Sequence, residues 1–323
     1  MTDESMIKKT FWLNRKGHFQ GLCWTILACF FSNLCDSAVK VFGAKFPPIQ
    51  ITFCRLFIGT LILLPIMLLY GRNSFSVNNK LWQFLRILIG FGAISCWIYG
   101  ASQTSLPSIT TISFVCPILV FPLAYLFLGE KSDWKRILSI FLGFLGVLIV
   151  ALFEKGEIQN TGSLFLHPGV IFLTVSAFLF ATSDILNKKM LQSENLLSLL
   201  FYFYLGTALV SLIPAFLVWK PIEYKDVFGL LTLGFGGVSI LYCILKAANA
   251  TEISSIAPYK YIELVISIVV GYFFFGEIIK LSTIIGAGLI IPSALFIAYH
   301  EIRKNRESIV EEEIAAEPVY EEN

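Results

Sequence analysis

Long apolar runs constrain the fold of this chain more than any other feature. Ten runs of about twenty residues follow one another, separated by short polar connections. The runs span residues 20–40, 48–70, 82–102, 108–128, 134–153, 167–187, 197–219, 227–249, 253–275 and 281–299. A helix needs about 20 apolar residues to cross a bilayer, where every backbone polar group must be paired within the protein. Because the runs are continuous rather than alternating, we predict transmembrane helices and not a barrel.

The composition supports lipid as the solvent. Of the 323 residues, 56% are hydrophobic and only 14% are charged, whereas a soluble domain has about 25% charged residues. The N-terminal arm, residues 1–19, is basic, and the tail, residues 301–323, is acidic and without apolar periodicity. We expect the tail to be disordered. The net charge of +2 gives no reason to expect a nucleic-acid partner, so the expected partners are the bilayer and a small-molecule substrate.

The distribution of basic residues predicts the orientation of the chain. With both termini cytoplasmic, the inside segments hold fourteen Lys and Arg residues and the outside loops hold six. Short cytoplasmic loops of membrane proteins carry an excess of Lys and Arg. We therefore predict a multi-pass protein with both termini in the cytoplasm; the sequence does not specify its oligomeric state.

One half of the chain repeats the other. The stretch from Ile98 to Val150 recurs between Leu245 and Ala298, with Gly129 set on Gly276 at an offset of 147 residues. The predicted repeats are residues 20–153 and 167–299. Each holds five helices, an odd number, so the second half enters the membrane from the opposite side. The predicted fold is an all-α membrane protein with ten transmembrane helices arranged as two inverted five-helix repeats, a design found in many transporters.

The first helices of the two halves also correspond. At an offset of 148 residues, Asp36 falls on Asp184 and Lys40 falls on Lys188. An Asp and a Lys four residues apart lie on one face of a helix and can pair. Interfacial ion pairing and a role in binding or gating both remain open for these two aspartates.

Several spaced motifs resemble the drug/metabolite transporter superfamily, and within it the EamA type, over about residues 20–300. The motifs are Asn33 and Lys40, Pro47-Pro48, Arg55, Pro117 before Leu128-Gly129-Glu130, and Glu263 before Phe275-Gly276-Glu277. The sequence departs from the family at Leu264, where proline is usual. The resemblance implies a central cavity lined by helices one, three, four, six, eight and nine. It also implies movement of a small solute across the cell inner membrane without ATP hydrolysis or a cofactor.

Within this family, the chain is similar to carriers that import S-adenosylmethionine in obligate intracellular bacteria. That similarity implies uptake of S-adenosylmethionine in exchange for S-adenosylhomocysteine. An amino-acid or drug exporter of the same fold, coupled to protons, is the alternative. An intramembrane enzyme is not favoured, because His18, His167 and His300 flank the predicted helices and no Cys/His set converges. We therefore predict no catalytic residue and no metal site.

Polar residues inside the runs are the candidate binding residues, because a charge at the bilayer centre costs about 2.5–3.5 kcal/mol on insertion scales. The candidates are Asn33, Asp36, Trp97, Tyr99, Gln103, Thr110, Ser113, Asp184, Tyr242, Lys246, Tyr259, Lys260 and Glu263. Our hypothesis is that Glu263 or Asp184 meets a substrate cation, that Lys260 meets a carboxylate and that the tyrosines stack on the adenine. A structural ion pair between Lys260 and Glu263 is the competing interpretation. Arg55 is expected to snorkel or to pair with the first helix.

Overall fold

A computed structural model describes residues 18–71, 75–103, 115–130 and 168–263, with isolated positions between 134 and 145 and between 266 and 299. Its main helices are α1 (His18–Gly43), α2 (Pro48–Tyr70), α3 (Lys80–Gln103), α4 (Val115–Leu128), α5 (Pro168–Met190), α6 (Leu196–Leu217) and α7 (Val227–Ala250). Within the described residues, six of these helices are long and apolar enough to cross a membrane, and α4 is shorter. The predicted class of all-α membrane protein is confirmed.

The helix bounds follow the predicted runs closely where the structure describes them. The fourth run is described as a helix only from Val115, because residues 104–114 lie outside the described part of the chain. The fifth and tenth runs fall on isolated positions, so the count of ten helices stays a prediction. The ninth run is not a regular α-helix from its start. It begins as α8 (Ile253–Ile256) and continues as a 3₁₀-helix over Ala257–Tyr261, where Pro258 has no amide hydrogen to donate.

Local sequence signals explain where the helices begin and end. α2 starts at Pro48, a residue suited to the first helical turn because it has no N–H to leave unpaired. α2 and α4 are followed by Gly71 and Gly129, whose φ angles of +81° and +65° are left-handed. Glycine adopts that conformation without steric cost, and it commonly terminates helices. A short 3₁₀-helix, Tyr224–Asp226, precedes α7.

The helix pairings exchange between the two halves. The most extensive contacts are between α3 and α5, between α1 and α7, and between α2 and α6. Under the sequence repeat, α1 corresponds to α5, α2 to α6 and α3 to α7. The first two pairings therefore interchange and the third maps onto itself, as a twofold relation between the halves predicts.

Small residues let these helices approach closely. A Cβ atom added at Gly100 of α3 would lie 2.9 Å from the carbonyl oxygen of Gly169 in α5, so the two backbones are in contact there. At the equivalent interface, a Cβ added at Gly236 of α7 would lie 2.5 Å from the sulfur of Cys35 in α1. Helices in membranes associate largely through such close packing. These contacts bring polar residues of α1 and α5, and apolar residues of α7, around a shared central space.

Candidate substrate-binding cavity

A cavity of about 180 Å³ lies between the helices of the two halves. A water molecule occupies about 10–15 Å³ on the same measure, so the cavity has room for much more than one water. Five charged residues line it: Asp36, Arg55, Asp184, Lys260 and Glu263. Five of the thirteen predicted binding residues therefore line the cavity: Asp36, Trp97, Asp184, Lys260 and Glu263.

Asp184 and Lys260 form an ion pair across the cavity wall. The Lys260 ammonium donates to Asp184 Oδ2 at 2.5 Å. The Lys260 side chain is only 20% exposed and the Asp184 side chain only 8%. Lys260 therefore pairs with a residue of α5, rather than with Glu263 on its own segment. Lys188 does not pair with Asp184, because its ammonium donates to the carbonyls of Ala248 and Thr251 at 2.5 and 2.6 Å.

Asp36 has a different partner. The indole N–H of Trp97 in α3 donates to Asp36 Oδ1 at 3.1 Å. A neutral donor orients the carboxylate without cancelling its charge. No lysine or arginine among the described side chains lies within ion-pair distance of Asp36, and the side chain of Lys40 is outside that set. Asp36 therefore presents a negative charge to the cavity.

Glu263 is held in the cavity wall by α1. The side-chain amide of Asn33 donates to the Cys29 carbonyl at 3.0 Å and to the Glu263 carbonyl at 3.3 Å. Asn33 is buried and does not line the cavity. Its place in the structure is thus that of a tie between α1 and the segment that carries Glu263.

Arg55 and Tyr204 are cavity residues that the sequence candidates did not include. Arg55 lies on α2 and Tyr204 on α6, and the two side chains meet beside Gly237 of α7. The resemblance had implied a cavity without the second and seventh predicted runs, which carry these two residues. The usable signal was Arg55 itself, a charge inside an otherwise apolar run, which is the same signal that singled out Lys260.

Besides Asn33, five predicted binding residues do not line the cavity: Tyr99, Gln103, Tyr242, Lys246 and Tyr259. Tyr99 is partly exposed and its ring lies 4.5 Å from that of Phe172, and Gln103 is exposed at the end of α3. Thr110 and Ser113 lie outside the described residues.

The other three of these five side chains have apolar or aromatic neighbours. Tyr242 packs edge-on against Trp24, with ring centroids 5.7 Å apart. The Lys246 ammonium lies 5.6 Å above the Tyr242 ring, a cation–π distance. Tyr259 is fully buried against Leu22. Helical periodicity alone does not show which polar residue of a run faces the bundle axis. The sequence therefore did not distinguish these three residues from those that line the cavity.

Arg86 of α3 is buried beside the cavity but not in it. Its Nε donates to Asn187 Oδ1 at 2.5 Å, its Nη1 donates to the Leu199 carbonyl at 2.7 Å, and its guanidinium lies 4.8 Å from the Phe203 ring centroid. Asn187 and Phe203 line the cavity. Arg86 thus joins α3, α5 and α6 behind the wall.

The charge of the cavity wall is uneven. Its ionisable side chains include three carboxylates (Asp36, Asp184 and Glu263) and two cations, Arg55 and Lys260. With all five ionised, the excess is one negative charge in a space of low dielectric constant, where charge complementarity is strong. Trp97, Phe180 and Phe203 add aromatic faces. Such a wall favours a solute with a net positive charge and a flat ring. Across the described part of the chain, no cluster of His, Cys, Asp and Glu has the makings of a metal site.

Comparisons with known proteins identify the fold and the family of the chain. A crystal structure superposes with a TM-score of 0.74, covering 90% of this chain and 99% of that one, at 16% identity, which speaks for the fold alone. The S-adenosylmethionine uptake transporter of Rickettsia prowazekii is 34% identical over 286 residues, 88% of this chain and 95% of that protein. The same-named protein of Rickettsia conorii is equally similar over the same shares. The riboflavin transporter of Vibrio cholerae is 24% identical over 89% of this chain and 95% of its own.

The family assignment rests on both halves of the chain. The model of the EamA-like transporter family matches residues 19–152 and again residues 167–299. A transporter family matched over most of the chain, together with relatives that are named transporters, means that this protein is a transporter and not an enzyme. The chain belongs to the EamA-like transporter family.

Proposed function

We propose that this protein takes up S-adenosylmethionine across the cell inner membrane by alternating access, in exchange for S-adenosylhomocysteine. Similarity to the Rickettsia uptake transporters supports the substrate. The observation that carries the proposal is the cavity, whose wall combines an excess of one carboxylate with aromatic faces. At neutral pH, S-adenosylmethionine carries a sulfonium, an ammonium and a carboxylate, so its net charge is +1.

The two carboxylates without a basic partner are the proposed cation sites. Asp36 and Glu263 line the cavity, and no described lysine or arginine forms an ion pair with either. Asp184 differs, because Lys260 already neutralises it. Asp36 and Glu263 therefore attract the sulfonium and ammonium of the substrate, while Trp97, Phe180 and Phe203 offer ring faces to the adenine.

The duplicated fold supports an exchange mechanism. Inverted-repeat transporters place the substrate at the interface between the halves and expose it first to one side and then to the other. The charged cavity residues come from both halves, Asp36 and Arg55 from the first and Asp184, Lys260 and Glu263 from the second. Cytoplasmic termini, indicated by the distribution of Lys and Arg, complete the proposed topology.

The proposal is tested by uptake into proteoliposomes that contain the purified protein. We expect uptake of labelled S-adenosylmethionine that is accelerated when the vesicles are preloaded with S-adenosylhomocysteine. Empty liposomes provide the control for leakage. Vesicles that move amino acids but not S-adenosylmethionine would overturn the substrate assignment in favour of the exporter alternative. A dependence on a pH gradient that disappears in Glu263→Gln would point to the same alternative.

A further inference from the structure

The geometry points to Arg55, supported by Tyr204, as the residue that binds the substrate carboxylate and so determines specificity for a solute that carries one. This inference rests on the proposed function. The sequence favoured Lys260 for binding the carboxylate, and Arg55 takes that role here. The two cations of the cavity differ in whether they form an ion pair. Lys260 pairs with Asp184, whereas Arg55 pairs with no carboxylate among the described residues.

Arg55 is buried, and part of its hydrogen-bonding capacity is unused. The residue is 9% exposed and lines the cavity. Its guanidinium lies beside the Tyr204 hydroxyl, since a Cβ atom added at Gly237 would approach both groups, and its Nε has no hydrogen-bond partner. No carboxylate of the described residues lies within 4.0 Å of it, whereas Lys260 has one at 2.5 Å. An unpaired charge inside a membrane protein is expensive and is a sign of function.

Lys260 and Arg86 are weaker candidates for the carboxylate. The ammonium of Lys260 would have to leave Asp184, and that would expose a buried aspartate without its counter-charge. Arg86 has no exposed surface, and it lies behind the Phe203 ring, bonded to Asn187 and the Leu199 carbonyl. Arg55 lines the cavity and forms no ion pair with a described carboxylate, so its charge is available to a ligand.

The packing around Arg55 is built to hold it in place. A Cβ atom added at Gly237 of α7 would lie 2.7 Å from Arg55 Nε and 3.0 Å from the Tyr204 hydroxyl. A Cβ added at Gly59 of α2 would lie 2.4 Å from two carbons of the Tyr204 ring. Two glycines therefore make room for the pair. The guanidinium presents its donors in a planar fork that matches a carboxylate, a geometry that a lysine does not offer.

The charged residues of the cavity are carried by different helices. Arg55 and Tyr204 come from α2 and α6, whereas Glu263 comes from the segment after α8 and is tied to α1 by Asn33. A carboxylate at Arg55 leaves the positive groups of the same molecule to Asp36 and Glu263. A decarboxylated substrate would leave the guanidinium unsatisfied, and specificity arises from that penalty.

The experiment compares two ligands on three proteins. The ligands are S-adenosylmethionine and its decarboxylated analogue, and the proteins are the wild type, Arg55→Gln and Lys260→Gln, with binding measured by calorimetry on the purified full chain. We expect Arg55→Gln to weaken the binding of S-adenosylmethionine roughly 10- to 100-fold, as for loss of hydrogen bonds to a charged group. Binding of the analogue is expected to weaken less than about threefold. Lys260→Gln is expected to lower the affinity for both ligands by the same factor, so that the ratio of the two affinities stays unchanged.

Two milder variants keep the test decisive if Arg55→Gln does not fold. Arg55→Lys retains the charge and loses the fork, and Tyr204→Phe retains the ring and loses the hydroxyl. Each is expected to shift the ratio of the two ligands in the same direction by a smaller factor. An unchanged ratio in the Arg55 and Tyr204 variants, or a ratio lost in Lys260→Gln alone, would overturn the inference. A wild-type protein that binds neither ligand would instead refute the proposed function.

Discussion

Asp36 and Asp184 occupy equivalent positions in the two halves but have different partners. Asp36 accepts a hydrogen bond from the neutral indole of Trp97 at 3.1 Å, and Asp184 accepts one from the Lys260 ammonium at 2.5 Å. Both aspartates line the same cavity. The repeat therefore conserves the position of the carboxylate, while its net charge toward the cavity is decided by what the neighbouring helix supplies.

The remaining charges of the cavity are divided between the halves in the same uneven way. At the offsets of the repeat, Lys260 and Glu263 correspond to Ser113 and Cys116, and Arg55 corresponds to Phe203. Cys116 and Phe203 also line the cavity. The twofold plan thus builds one wall from related positions, and different residues at those positions give the two halves different charges.

The largest expected effect comes from breaking the Asp184 ion pair. Lys260→Met leaves a buried carboxylate without its counter-charge, which costs about 3–5 kcal/mol in a fully buried site. Protonation of Asp184 and water in the cavity reduce this, so we expect a loss of about 2–3 kcal/mol and a fall in Tm of several degrees. Thermal unfolding of the purified protein in detergent measures it.

A double variant provides the matched control for that prediction. Asp184→Asn combined with Lys260→Met removes both charges, so it should unfold at a higher temperature than Lys260→Met alone. Trp97→Phe removes the neutral partner of Asp36 and should lower stability by only about 1 kcal/mol. A double variant no more stable than the single one would show that the charge of Lys260 does not stabilise the folded protein.

The sequence predicted the helices and the charges of the cavity, but not their pairing. Run lengths reproduce most helix bounds because the thickness of the bilayer fixes them. Lys260 and Asp184 were both candidates, yet they lie 76 residues apart, and only the packing of α5 against the segment after α8 brings them together. Local spacing instead suggested Lys260 with Glu263, and Asp184 with Lys188. The sequence favours a structural role for Arg55, because nothing in its own run shows that the residue lines a cavity.

The second expected effect concerns affinity rather than stability. Asp36→Asn keeps the shape and the acceptor for Trp97 and removes a negative charge that forms no ion pair with a described basic side chain. We expect affinity for S-adenosylmethionine to fall about tenfold, as for the loss of one charge-assisted contact, with Tm almost unchanged. Titration calorimetry measures it, and Asp226→Asn, outside the cavity, is the matched control. Equal affinities in Asp36→Asn and the wild type would show that Asp36 does not contact the substrate.

The ends of the molecule show the same contrast between the halves. The α1–α2 connection meets the α6–α7 connection through charges, since the Lys45 ammonium bonds Asp226 and lies 3.5 Å from Glu223. The α2–α3 connection meets the α5–α6 connection through backbone amides, since those of Asn78 and Asn79 donate to Glu194 Oε1 at 2.7 and 3.0 Å. The repeat relates the two junctions; among the described residues, these contacts use a lysine at the first junction and backbone amides at the second.

The smallest expected effect is the pH dependence of the Lys45 junction. The hydrogen bond to Asp226 raises the pKa of Lys45 above its usual 10.5. A cation with a raised pKa in the folded state stabilises the protein fully below the unfolded-state pKa, and the contribution disappears as pH rises through the folded-state pKa. Lys45→Met should therefore lower Tm slightly at pH 7 and not at all once Lys45 is deprotonated in the wild type. Thermal unfolding of both proteins between pH 7 and strongly alkaline pH measures the difference. A difference that stays constant across this range would mean that the apolar stem of Lys45, not its charge, holds the two connections together.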